Sequence, residues 1–266
     1  MSARLKCENC GGSVEYRVRE NAATCLFCGV AALELDDSDP PPPPDGYIPL
    51  VLDQAGADTA YRNWAKASWW RPAALRTAKI ETKPIYLPAW RFVCRLDTHW
   101  AGLESAATRS GKRPRTGRET ATLEHLVPAS GALEPEELTG LLPFDESQSR
   151  PWQDDGVPHE LPAKSRRLAA TEVHAQVQRR HAAAIQAHEG LKSCNVMAEV
   201  EDLEARALLL PVYIGVFRFR DRAWRFLVNA QSGEVYGKAP IDRVKVMAVI
   251  AAVVLVGLAF AAFAGR

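Results

Sequence analysis

Apolar and polar positions divide this chain into four parts. Near the N-terminus, Ser13-Val14-Glu15-Tyr16-Arg17-Val18 alternates with the period of a strand that buries one face. Residues 36–46 show no apolar period and contain Asp36, Asp37, Asp39 and the run Pro40 to Pro44, a stiff polyproline spacer that marks a boundary. Residues 47–242 mix both periods. There, Tyr47 to Leu52 reads as a short strand, and Asp58 to Ala67 as a helix capped by Asp58 or Thr59, with Tyr61, Trp64 and Ala65 on one face. Pro72 suits the first turn of another helix, to about Lys79, and Trp64, Trp69 and Trp70 are expected to fill core. The acids of Glu134-Pro135-Glu136-Glu137-Leu138 suit a helix start, and 143–162 is loop-like. Ala163 to about Glu189 is a long Ala-rich helix. It carries the stripe Val173, Val177 and Ala184, with His174, His181 and His188 on a hydrated edge.

The fourth part is the run from Val246 to Ala264, nineteen residues without a charge. As a helix it reaches about 28 Å at roughly 1.5 Å per residue, close to the hydrocarbon core of a bilayer. A membrane anchor over 243–266 is therefore expected, with a buried core helix as the alternative. Arg243 and Lys245 precede the run and Arg266 follows it, and no apolar signal segment follows Met1. Both features place the N-terminal bulk on the cytoplasmic side.

One pattern occurs twice. Leu87-Pro88-Ala89-Trp90-Arg91-Phe92-Val93-Cys94-Arg95 matches Leu210-Pro211-Val212-Tyr213-Ile214-Gly215-Val216-Phe217-Arg218. In each, a proline opens a strand, where its missing N–H costs least, and an aromatic follows two residues later. Each strand is expected to enter a hairpin, the first returning over Thr120 to Val127 and the second over Trp224 to Asn229. The fold class that follows is α+β: an N-terminal ribbon over 1–35, a linker over 36–46, and a body over 47–242 with two related antiparallel segments and intervening helices. The single C-terminal transmembrane helix completes it.

A formal net charge of +1 hides two blocks. Residues 62–118 carry thirteen Lys or Arg against Glu81, Asp97 and Glu104, and residues 119–160 carry ten acids against Arg150. Adjacent blocks of opposite sign neutralise each other in a fold, and this is the reading preferred over a nucleic-acid or lipid surface. The residues that would make such a surface are Arg109, Lys112, Arg113, Arg115 and Arg118.

The strongest chemistry lies in Cys7-Glu8-Asn9-Cys10-Gly11-Gly12 and Cys25-Leu26-Phe27-Cys28-Gly29, two C-x-x-C knuckles with fourteen residues between them. Two residues between cysteines let both thiolates point at one ion. Four thiolates make a closed tetrahedral set that suits Zn²⁺ and leaves no position open for substrate, so Cys7, Cys10, Cys25 and Cys28 are expected to hold one structural ion. Paired disulfides would need an oxidising compartment. The sequence has no phosphate-binding loop, no H-E-x-x-H, no G-x-S-x-G and no dinucleotide fingerprint, and Cys94 and Cys194 are isolated. It reads as a non-enzyme.

The double knuckle, the segment Trp64 to Trp70, Tyr86-Leu87-Pro88-Ala89-Trp90, Leu126-Val127-Pro128-Ala129-Ser130, Leu209-Leu210-Pro211-Val212-Tyr213, Phe226-Leu227-Val228-Asn229-Ala230-Gln231-Ser232-Gly233-Glu234-Val235 and the terminal apolar run together resemble a bacterial family of membrane-attached zinc-ribbon proteins. Its members are often labelled primosomal protein N′ (replication factor Y)-like or TFIIB-type zinc-ribbon proteins. The resemblance implies a cytoplasmic ribbon, an α+β body and attachment to the bacterial inner membrane through 246–264. It carries over no helicase activity, because the motor motifs are missing. The expected function is a membrane-anchored adaptor whose ribbon captures a protein partner. The alternative is a membrane-tethered nucleic-acid-binding protein that uses the ribbon and the basic loop.

Overall fold

A computed structural model describes residues 2–10, 12–17, 24–31, 33–35, 42–105, 112–220 and 222–264. Three strands, β1 (Ser2–Cys7), β2 (Ser13–Arg17) and β3 (Leu33–Leu35), form the N-terminal ribbon. After β4 (Gly46–Tyr47) come helix α1 (Gln54–Ala67) and a single 3₁₀ turn, Ala73–Arg76. Two long antiparallel strands follow, β5 (Ile80–Ser105) and β6 (Lys112–Pro128). A short helix α2 (Pro135–Thr139) and the two-residue strands β7 (Arg150–Pro151) and β8 (His159–Glu160) lead to α3 (Arg166–His188). The chain closes with β9 (Leu191–Phe219), β10 (Arg222–Asn229), β11 (Val235–Gly237) and α4 (Arg243–Ala264). All eleven strands join one mixed sheet centred on the antiparallel pair β5–β9.

The body is two copies of one unit arranged around that pair. The repeated segments are equivalent strands: Leu87 lies opposite Leu210, its own counterpart, so the two strands are related by a local twofold through this pair. The hydrogen bonds repeat as well. Ala129 N donates to Pro88 O at 2.9 Å, and Ala230 N to Pro211 O at 3.0 Å. Trp90 Nε1 donates to Lys164 O at 2.8 Å, and Tyr213 Oη to Leu52 O at 3.0 Å. β4 runs parallel to β9 and β8 parallel to β5, each just before a helix whose N-cap accepts from the third helical amide: Asp53 from Gly56 N and Ser165 from Leu168 N. A twofold normal to the sheet puts both helices on one face. There α1 buries Tyr61 against Phe217 and Phe226, and α3 buries Val173 and Val177 against Phe92, Leu96 and Val127.

Several local expectations are corrected. Helix α1 begins five residues before Asp58–Thr59, counted from its cap, because Asp53 satisfies the amide of Gly56, a residue that otherwise breaks helices. The second expected helix is only the 3₁₀ turn. Strand β6 starts at Lys112, so most of the expected basic loop is strand. On α3 the buried stripe is Val173, Val177, His181 and Ile185, at successive steps of four. His181 is therefore core, and Ala184 is exposed. Trp69 and Trp70 stand 55% and 44% exposed rather than in core.

The largest correction concerns the C-terminus. Among the described residues, no helix is long and apolar enough to cross a membrane. The first turn of α4 is charged and tied to the body: Lys245 Nζ donates to Trp69 O at 2.8 Å and to Arg71 O at 3.1 Å. The single transmembrane helix, and the single-pass inner-membrane location derived from it, are withdrawn. Gly265 and Arg266 lie outside the described residues.

Candidate metal centre

The two knuckles converge. Cys7 Sγ lies 3.6 Å from Cys28 Sγ, Cys10 Sγ lies 3.6 Å from Cys25 Sγ, and all four sulfurs fall within 4.8 Å of one another. These separations are far longer than a disulfide bond of about 2.05 Å, and all four cysteines are free. The four can hold one metal ion. Local backbone bonds shape each knuckle: Cys7 N donates to Gly12 O, Cys25 N to Val30 O, and Phe27 N points at Cys25 Sγ at 3.4 Å. Gly29 adopts φ +73°, which a side chain would oppose.

Without a metal the thiols differ sharply. Burial pushes the Cys10 thiol well above its ordinary value and the Cys25 thiol up to about 11. Burial also acts to raise Cys28, but the amide of Val30, the Asn9 side chain and the neighbouring thiols outweigh it and bring it down to about 7. Cys28 is thus a readier thiolate donor than Cys10 and Cys25, whose thiols a bound cation would have to deprotonate.

The ribbon does not stand apart from the body. Cys7, Cys25, Val14 and Phe27 belong to the same buried cluster as Ile48, Ile85, Leu87, Leu208, Leu210 and Leu227, on the sheet face opposite α1 and α3. Strand β2 pairs with β8, with Val14 opposite Glu160, and Leu161 N donates to Ser13 O at 2.8 Å. A Cβ on Gly12 would lie 2.7 Å from Ala132 Cβ and 2.8 Å from the Phe27 ring, so only glycine permits this approach. Arg225 Nη1 donates to Phe27 O and Ala132 O while its Nη2 pairs with Glu137 at 2.6 Å. One guanidinium thereby fixes a knuckle to the loop before α2. Glu160, almost wholly buried, accepts from Gly131 N and Ala132 N at 2.9 and 3.1 Å in the same region, and burial pushes its pKa up to about 7.

Sequence reasoning found the four cysteines but neither Arg225 nor Glu160. Both act through partners about ninety and thirty residues away, for which the local sequence carries no signal. The candidate nucleic-acid or lipid contacts separate. Arg115 pairs with Glu189 at 2.8 Å, and Arg118 donates through Nε to Asp97 Oδ1 at 2.9 Å, its guanidinium holding that carboxyl below its ordinary range. Arg113 is exposed opposite Glu104, Lys112 lies opposite Ser105, and Arg109 lies outside the described residues. Cys94 is buried beneath α3, and His125 is held by Gln176 and Arg180.

No family model matches the chain, and no curated protein or solved structure matches it.

Proposed function

We propose that the protein is a non-enzymatic adaptor in which one structural zinc ion locks the ribbon onto the body and the assembled surface engages a protein partner. The observation that carries this reading is the continuity of the metal site with the body core, with Cys7 and Cys25 buried at 0% and 4% exposure beside Phe27 and Ile85. A site so enclosed and so fully donated by sulfur suits a structural ion rather than a catalytic one. Zinc fits the spacing: a tetrahedron with Zn–S bonds of about 2.3 Å has edges of roughly 3.8 Å, near the 3.6 Å separations present. The resemblance to zinc-ribbon proteins points the same way. Exposed large apolar side chains, among them Trp69 and Trp70, support an interaction surface, since isolated folded chains seldom expose such groups together. The pairing of Arg115 and Arg118 with acids on the same molecule favours a neutralised surface over a phosphate-binding one.

The test is crosslinking of the full chain in its native cells, followed by identification of the captured protein. The adaptor reading expects one specific protein, lost after zinc chelation and after Trp69→Ser with Trp70→Ser. Recovery of nucleic acid instead, with binding that falls steeply with salt, would overturn it.

A further inference from the structure

On the sheet face that carries α3, four neighbouring strands meet at one level. Trp90 on β5 lies opposite Ala207 on β9. Ala207 N donates to Asp45 Oδ2 at 2.6 Å and Asp45 N to Ala207 O at 2.9 Å just before β4, and Trp152 N donates to Asp45 O just after β7. A recess of about 960 Å³ opens over them, between the ribbon and the entry to α3. Trp90 and Trp152, both half-buried, stand in its walls. Trp152 packs edge-on against Tyr86 and His159, with ring centroids 6.3 and 5.3 Å away, and Trp90 Nε1 is fixed on Lys164 O. Tyr86 and Trp90 are four residues apart on β5, so the two indoles bracket roughly 13 Å of strand. The floor between them is the apolar cross-strand pair Pro88 and Leu209.

Charge does not select the occupant. The lining sets Arg4, Lys164 and Arg166 against Glu15, Asp45, Asp154 and Glu160. Much of this is engaged within the fold: Lys164 Nζ pairs with Glu172 at 2.8 Å, Glu15 faces His159 at 3.6 Å, Asp45 takes the Ala207 amide, and Glu160 those of Gly131 and Ala132. A neutral, apolar occupant meets the two indoles and the floor without disturbing these pairs.

The chain itself shows what lies well against such walls. Pro42, Pro43 and Pro44 line the same recess and end at Asp45, which is tied to Ala207 and Trp152. Proline suits the floor because it brings no backbone N–H that would need an acceptor there. A polyproline II helix is already extended when free, so docking it costs little conformational entropy, and aromatic-lined grooves are its usual receptors. It repeats every three residues, roughly 9 Å, so two of its prolines fall within the span the indoles bracket.

We infer that this recess is a docking groove for a proline-rich segment of a partner protein, bound as a polyproline II helix between Trp152 and Trp90. The groove includes neither Trp69 nor Trp70, so it stands or falls apart from the surface proposed above.

The experiment is calorimetric titration of the metal-loaded full chain with acetyl-hexaproline amide and, as an uncharged control of equal length, acetyl-(Gly-Ser)₃ amide. Saturable hexaproline binding is expected, at least about tenfold tighter than the control and changed by less than about twofold on raising the salt, since no ion pair holds the peptide. Trp152→Leu, outside the ribbon, is expected to weaken it at least about tenfold with the metal retained. Hydrogen exchange of the parent protein with bound hexaproline is expected to gain protection at residues 152–154 and 159–166, a footprint that needs no variant and decides the matter if Trp152→Leu fails to fold. No saturable hexaproline binding, equal affinity for the control, unchanged affinity in folded Trp152→Leu, or a footprint elsewhere would each overturn the inference.

Discussion

Leu87 and Leu210 face each other across β5 and β9 and are also each other's counterparts in the internal repeat. That coincidence fixes the architecture. When counterparts pair across antiparallel strands, the two units are related by a twofold at that pair, and everything attached to one strand has its image on the other. The images are not identical. Beside Leu87 the unit carries the cross-strand pair Phe92–His125, and its image carries Gly215–Phe226.

The two helix caps provide a direct comparison of the units. Asp53 Oδ1 accepts from Gly56 N at 2.7 Å and Ser165 Oγ from Leu168 N at 3.3 Å. Asp53→Ala and Ser165→Ala should each destabilise by about 1 kcal/mol, and the double variant by about the sum. Urea unfolding with an unchanged slope checks this. A negligible effect at either position would show that its helix entry is held by something other than the cap.

Gly215 exists for its neighbour. A Cβ there would lie 2.0 Å from Phe226 Cζ, inside the ring that also packs on Tyr61. Gly215→Ala should therefore cost about 3 kcal/mol, as overpacking does in a core with no room to relax. In a Phe226→Leu background the same substitution should cost at least about 1 kcal/mol less, because the two residues couple directly. Equal costs in both backgrounds would assign the strain to something other than the ring.

Much of this was legible in the chain, for identifiable reasons. The knuckles announced themselves because metal ligation needs both residue type and spacing, and the repeat because Pro88–Trp90 and Pro211–Tyr213 serve the same local purpose twice. The first half of β9 was not anticipated. Its buried face is Leu191, Cys194, Val196, Ala198 and Val200, set among Lys192, Ser193, Glu199 and Glu201, and an irregularity after Leu191 breaks the alternation, so the period of two is faint. Nor was the fusion of ribbon and body, since Phe27 meets Ala132 and Arg225 only through the tertiary fold. The terminal apolar run was legible as a helix, but not in its relation to the body: Lys245 and Asp242 bind backbone groups of the Trp69–Arg71 turn.

Glu160 makes stability depend on pH in a set direction. Burial raises its pKa to about 7 from an ordinary 4.5, against the opposing pull of Ser130, the Gly131 and Ala132 amides and Arg225. The folded state therefore holds a proton that the unfolded chain releases. The resulting stability is fully present below about pH 4.5 and is lost as pH rises through about 7, a total on the order of 3 kcal/mol. Glu160→Gln keeps an acceptor for both amides and cannot ionise. Measured on metal-loaded protein, its stability relative to the parent should rise between pH 5 and pH 8 by that order. Effects of the thiol ligands are common to both proteins and cancel. Parallel curves would show that Glu160 is not held protonated in the fold.

Metal removal tests the fusion itself. If the ribbon were a separate module, losing its ion would unfold about thirty residues and leave the body's melting unchanged. In this fold Cys7, Cys25 and Phe27 cover Ile85, Leu87 and Leu210, and β2 supplies the partner of β8. Unfolding the ribbon therefore uncovers one face of the central strand pair and leaves Arg225 without the Phe27 carbonyl. Structural ions of this kind contribute on the order of 10 kcal/mol to the peptides that bind them. Part of that stabilisation is expressed here in the body. Chelation, or Cys25→Ser, should lower the melting temperature of the whole chain by roughly 10 °C or more, at about 2–4 °C per kcal/mol for a domain of this size. The transition should remain single, and hydrogen-exchange protection should fall at β8 and at residues 129–133 as well as in the ribbon. A body transition that stays at its original temperature, with exchange rising only within residues 2–35, would show that the shared core is not energetically shared.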